Sequence, residues 1–125
     1  MNKISTEKRT ALAAVLSAVQ ECRAKPLGDP QRIIVVQTAQ GVGMSQLYRQ
    51  ALRHRGAILV PAGAMDRNRV RFIKLLAHRT RFVPVLVASV DEWRNWHRRQ
   101  PLTSAQIRRR TFMTIELESP SLDQN

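Results

Sequence analysis

The stretch Thr38-Ala-Gln-Gly41-Val-Gly43-Met44-Ser45 has the spacing of a loop that could wrap a phosphate. The working form of such a loop reads G-x-x-x-x-G-K-[ST] between a strand and a helix. Gly43 and Ser45 stand at the required offsets, and Gly41 adds a Gly-x-Gly turn. Thr38 replaces the first glycine and Met44 replaces the lysine. Backbone N–H groups and a helix start could still cradle an anion, because that part of the chemistry needs no side chain. The Ser45 hydroxyl would hold Mg²⁺ in a live site. The charge that a lysine brings to the terminal phosphates is missing. Two readings stand: a degenerate nucleotide site made by Thr38, Gly41, Gly43, Met44 and Ser45, or a plain strand-to-helix turn. ATP with Mg²⁺ is expected to bind weakly or not at all, and no residue is singled out as catalytic.

A second constellation is Val-Ala-Ser89-Val90-Asp91-Glu92. Apolar residues followed by Asp-Glu resemble a Walker B element, where the Asp orients Mg²⁺ and the Glu polarises water. The favoured alternative is structural: Asp91 and Glu92 form the acidic first turn of a helix, with Ser89 as its cap.

The third constellation is cationic. The chain carries 21 Lys and Arg against 9 Asp and Glu, a net charge of +12. Between Met44 and Arg110 there are 15 basic residues and 3 acids, while the remaining segments balance at 6 and 6. A clustered positive charge of this kind is the footprint of a polyanion partner. The candidate contacts are Arg67, Arg69, Arg71 and Lys74, then Arg94, Arg98 and Arg99, then Arg108, Arg109 and Arg110. They would neutralise phosphates, with DNA favoured over RNA. Trp93 and Trp96 lie among them and could stack bases; a core role is favoured for both.

These groups need a scaffold. Ser5 or Thr6 is expected to cap a helix running to about Lys25, with Leu12, Val15, Leu16 and Val19 on one face. Pro26, Gly28 and Pro30 end it. Ile33 to Val36 reads as a buried strand, and a helix follows from about Met44 to His54. Ala57 to Pro61 reads as a second strand. Asp66 caps a helix from Arg67 to about His78. Phe82 to Ala88 is a third strand, with Pro84 favouring a strand start or edge. A helix covers Asp91 to Arg99, Pro101 stops it, and Thr103 or Ser104 caps a short turn through Arg109. Thr111 to Leu117 is the last strand. Continuous apolar strands alternating with amphipathic helices predict an α/β fold, a mostly parallel sheet flanked by helices in a truncated, P-loop-like three-layer sandwich. The expected organisation is an N-terminal helix and linker over residues 1–29, an α/β domain over 30–118 and a polar tail over 119–125.

Cys22 is the sole cysteine, so no disulfide framework or cysteine metal cluster arises from the sequence. His54, His78 and His97 show no ligand spacing, and no metal site is expected. No apolar run approaches the length of a membrane span, and no signal-type segment opens the chain. A cytoplasmic protein without a membrane partner is expected.

The order of parts resembles the AAA+ family, and within it the DNA-transposition helper ATPases of the phage Mu B and TniB type. Arg81-Phe-Val-Pro-Val-Leu-Val-Ala-Ser89 looks like that family's sensor strand. Gln106-Ile-Arg-Arg-Arg110-Thr-Phe-Met-Thr-Ile-Glu-Leu looks like its Q-x-x-x-R-F stretch into the final strand. The likeness runs over about residues 30–120. It departs at Thr38 and Met44, and in lacking a separate Walker B strand and a helical lid. The resemblance implies a minimal relative that assists a DNA transaction of a mobile element, with self-association and with weak or absent ATP hydrolysis. The alternative is a catalytically dead AAA-like module that binds and regulates a protein partner.

Overall fold

The computed structural model describes residues 2–6, 8–38, 46–62 and 65–117. The element order is β1 (Asn2–Thr6), α1 (Lys8–Ala24), β2 (Ile33–Thr38), α2 (Gln46–His54), β3 (Ala57–Pro61), α3 (Arg67–Arg79), β4 (Val83–Ser89), α4 (Val90–Arg99), α5 (Pro101–Arg109) and β5 (Thr111–Leu117). The strands form one sheet in the order β1-β5-β2-β4-β3, and every pairing is parallel.

β2 and β4 are interior strands, and their sequences say why. Ile33 to Val36 and Val83 to Leu86 are buried without a break, the mark of a parallel strand covered on both faces. From β1 to β3 the chain moves one way across the sheet, and from β3 to β5 it moves back. Right-handed crossovers then put α1 and α2 on one face and α3, α4 and α5 on the other. The core divides in the same way. Ile34 and Val36 pack with Val15, Val19 and Cys22 of α1 and Leu52 of α2. Ile33 and Val35 pack with Ile73 and Ala77 of α3, Trp96 of α4 and Ile107 of α5. Each fully buried aliphatic side chain contributes about 1.5–3 kcal/mol.

The register between β2 and β5 shifts at Ile33/Ile34, where Ile33 pairs with Thr111 and Ile34 with Met113. The extra residue is Phe112, a bulge in β5. Phe112 and Met113 both pack towards the α1 side, and Lys25 Nζ sits 4.3 Å over the Phe112 ring.

Local signals set the helix ends. Asp66 accepts a hydrogen bond from the Arg69 amide at 2.8 Å and starts α3. Gly56 ends the α2 turn with φ +85°, a conformation that glycine adopts without strain. At the amino end of the sheet, Arg32 is buried. It donates to the carbonyls of Cys22 (3.3 Å), Ala77 (2.6 Å) and Thr80 (2.9 Å). One cation thereby serves the carboxyl ends of α1 and α3, where helix dipoles favour positive charge.

Two expectations need correction, and one about Pro84 holds. Residues 2–6 are a strand, and the first helix begins at Lys8 rather than at a Ser5 or Thr6 cap. The segment before residue 30 therefore supplies an edge of the sheet. Asn-Lys-Ile-Ser-Thr is short and polar, and pairing with β5 makes it a strand. Pro84, as expected, sits at a strand start: it is the second residue of β4, and β4 pairs with β2 only from Val85 onward, so the missing N–H falls outside that ladder. Pro101 does not merely stop α4. It is the first residue of α5, a position that needs no N–H donor.

Candidate functional site

In open parallel sheets, ligands bind beyond the carboxyl ends of the strands, where neighbouring strands connect to opposite faces. Here that point lies between β2 and β4. β2 leads to α2 on one face, β4 leads to α4 on the other, and Thr38 pairs with Ser89 at their ends. Thr38 is buried. Gly41, Gly43, Met44 and Ser45 lie outside the described residues; the segment that carries them joins Thr38 to the start of α2.

Asp91 and Glu92 belong to the start of α4. The Glu92 carboxylate accepts from the Ser89 amide at 2.8 Å, and the Ser89 hydroxyl accepts from the Glu92 amide at 3.1 Å. This reciprocal capping box satisfies two backbone donors that would otherwise lack partners. Asp91 is exposed and stands 3.8 Å from Arg94, a solvent-screened pair of little energetic weight. The capping box thus takes up Glu92, while Asp91 stays in solvent beside Arg94.

Most of the candidate cations lie on the three helices of one sheet face. The helices α3, α4 and α5 carry ten Lys or Arg and two acids. Some of these side chains are tied down. Arg69 donates to the Pro61 carbonyl at 2.8 Å and Lys74 to the Gln106 side chain at 2.9 Å. Arg99 donates to the Asn95 carbonyl and Arg110 to that of Gln106. Arg110 is half-buried, with its Nε buried and unpartnered, which sets it apart from its two neighbours. Arg67, Arg71, Arg98, Arg108 and Arg109 are exposed. None of these five makes a side-chain hydrogen bond or ion pair among the described residues.

A cleft of about 360 Å³ opens on the same side, between α4, α5 and the sheet. Helical spacing builds its walls. Trp93, Trp96 and His97 fall on one stripe of α4, and Ser104, Ile107 and Arg108 on one stripe of α5. Val35 and Gln37 of β2 floor it. Thr111 and Thr114 of β5 also line it, three residues apart, because the bulge at Phe112 resets the alternation. Trp96 is fully buried, as a core role requires, while Trp93 is half-buried. Their ring centroids lie 5.3 Å apart at 47°. His97 Nδ1 and Ser104 Oγ are 2.7 Å apart. No motif marks this cleft in the sequence; its only signal is the i, i+3, i+4 spacing in two helices.

Elsewhere the chemistry is quiet. Burial pushes the Cys22 thiol up to about 11, against the smaller opposing effect of Lys25. Among the described residues no three His, Cys, Asp or Glu side chains gather at metal-binding distance. No helix there is long and apolar enough to cross a membrane.

No protein-family model matches the chain, and no curated protein or solved structure is significantly similar to it.

Proposed function

We propose that this chain binds DNA through the outer surface of α3, α4 and α5, assisting a DNA transaction of a mobile element, with ATP hydrolysis weak or absent. The observation that carries the reading is the charge on those helices. Ten cations oppose two acids there, and five of the arginines are exposed and make no side-chain hydrogen bond or ion pair among the described residues. Free guanidinium groups bind phosphate without first breaking contacts within the protein. The mobile-element role rests on the AAA+ resemblance and on the sequence that follows Thr38, in which Met44 stands in the place of the lysine.

The test is a titration of labelled duplex DNA at several salt concentrations. Each neutralised phosphate contributes about 0.9 to the slope of log K against log salt. Engagement of the five free arginines gives a slope of about −4.5 by that rule. Changing Arg98, Arg108 and Arg109 together to Ala should flatten it by about 3. Salt-independent binding, or none, rejects the reading.

One observation favours a second reading, a module that binds a protein partner. Phe72 and Leu75 on α3 are half-exposed and Leu102 on α5 is 81 % exposed. Saturable binding of a protein by a chain indifferent to DNA would select it.

A further inference from the structure

The outer surface of α3 and α5 exposes apolar groups that the fold does not use. Among the described residues five large apolar side chains are exposed, and three of them, Phe72, Leu75 and Leu102, stand on these two helices. Val70, Ile73 and Ala77 carry the buried face of α3. At about 100° per residue, Leu75 falls on the opposite side. Ser104 and Ile107 carry the buried face of α5, and Leu102 is likewise opposite. Lys74 donates to Gln106 at 2.9 Å and so sets the two helices side by side. Leu75 follows Lys74 in sequence, and Leu102 stands one turn before Gln106. The apolar groups of both helices therefore share one surface, beside the groove that adjacent helices leave between them.

Charge gives this surface a sign. Neither helix holds an Asp or a Glu. Arg71 and Arg79 stand one turn to either side of Leu75 and are exposed. Neither makes a side-chain hydrogen bond or ion pair among the described residues. An occupant that fits brings acids around an apolar stripe. A second copy would set like charge against like, at +12 per chain. Duplex DNA accounts for the arginines but not for the apolar groups, which gain nothing from phosphates. A bilayer surface needs a broad apolar face. Here Asn68, one turn before Phe72, and Arg79, one turn after Leu75, confine the apolar stripe of α3 to a single turn. An extended segment would find no sheet edge to pair with, since both elements are helices. A helix satisfies its own backbone and can lay one apolar stripe along the groove.

We infer that the outer surface of α3 and α5 docks an acidic amphipathic helix of a protein partner. Its apolar stripe covers Phe72, Leu75 and Leu102, and its carboxylates lie beside Arg71 and Arg79. The inference rests on the protein-partner reading and gives that partner its chemistry. It leaves Arg98, Arg108 and Arg109 free for DNA, so the two surfaces can serve one molecule.

The test is a selection on the whole chain from a displayed library of helical peptides, about five turns long, randomised among Leu, Ala, Gln, Glu and Lys. Selected peptides are synthesised and titrated by anisotropy. The expected peptides carry leucines at i, i+3, i+4 and i+7, flanked by Glu, and bind saturably. Leu75→Ser and Leu102→Ser alter exposed side chains, should leave the circular dichroism unchanged, and should each weaken binding about five- to tenfold. Arg71→Glu combined with Arg79→Glu should reverse the preference, so that the same peptide with Lys in place of Glu binds better. Selected peptides that are acidic but lack a leucine stripe overturn the inference, because charge alone then suffices. Peptides indifferent to Leu75→Ser and Leu102→Ser bind elsewhere, which overturns this surface and keeps the protein-partner reading. A library that yields no binder rejects both. Vesicles of phosphatidylserine and phosphatidylcholine that bind as tightly as the peptide, and release on Leu75→Ser, assign the surface to lipid and overturn the inference. A hairpin duplex that loses as much affinity as the peptide on Leu75→Ser assigns it to DNA, with the same consequence.

Discussion

His97 and Ser104 tie two helices together across a corner. The Nδ1 of His97, in the last turn of α4, lies 2.7 Å from the Oγ of Ser104, in the first turn of α5. The Ser104 hydroxyl also lies 3.3 Å from the Pro101 carbonyl. An Nδ1–H that donates to Oγ leaves the hydroxyl free to donate to that carbonyl, and both contacts are satisfied. The pair fixes the angle between the helices that wall the cleft.

Ser104→Ala should therefore cost about 1 kcal/mol, the net worth of a typical hydrogen bond, because exposed His97 can turn to water. Urea unfolding at constant m-value measures it. A loss well above that would mean that the α4–α5 corner collapses with the bond.

Arg32 is expected to be the most sensitive polar position. Arg32→Ala removes three donors from the ends of α1 and α3 and leaves a void, and should destabilise by about 3–5 kcal/mol. Arg32→Met fills the space and removes the desolvated charge with its unpartnered Nη2, so it should cost less than Ala. Equal losses in the two variants would show that only volume matters here.

Cys22 should resist alkylation in the native state at neutral pH. Burial raises its thiol to about 11, so the reactive thiolate is scarce. Its raised value makes a contribution to stability that is complete below about pH 8.5, the unfolded value, and is lost as pH rises toward the folded one. Cys22→Ala should remove that alkaline decline. Rapid labelling by a thiol reagent at neutral pH, at a rate independent of urea, would contradict the buried assignment.

Met44 decides the nucleotide question. The wild-type chain should bind ATP no more tightly than the high micromolar range, on the affinity scale where each tenfold is about 1.4 kcal/mol. Met44→Lys restores the missing charge and should tighten binding if the loop keeps a phosphate-cradling shape. Calorimetry with and without Mg²⁺ tests both statements. No gain in the variant identifies the segment as a plain turn.

The layered α/β architecture was legible because β2 and β4 open on unbroken apolar runs, Ile33 to Val36 and Val83 to Ala88, as strands covered on both faces do. The starts of α3 and α4 were legible because Asp66 and Ser89 announce themselves as caps. β1 was not, since Asn2 to Thr6 carries no apolar pattern and becomes a strand only through β5. The cleft was hidden for a similar reason. Trp93 and Trp96 show helical spacing, but nothing local says that Gln37 or Thr114 will face them, and the Phe112 bulge that turns Thr111 and Thr114 to the same side leaves no trace in composition. Arg32 read as one more cation among 21; only the meeting of two helix ends makes it a core residue.

The pairing of β1 with β5 also sets the order of assembly. Among the described residues β1 bonds to no other strand, and its partner is the last described element. Closing Ile4 onto Ile115 fixes a loop of about 110 residues, at an entropic cost on the order of 4 kcal/mol. A nascent chain can join β2, β3 and β4 early, but its first strand must wait until the fifth has been synthesised. That edge forms late and opens early. Amides of residues 2–6 should exchange with solvent well before those of residues 83–89, and α1 must hold its place on the sheet without help from the strand that precedes it.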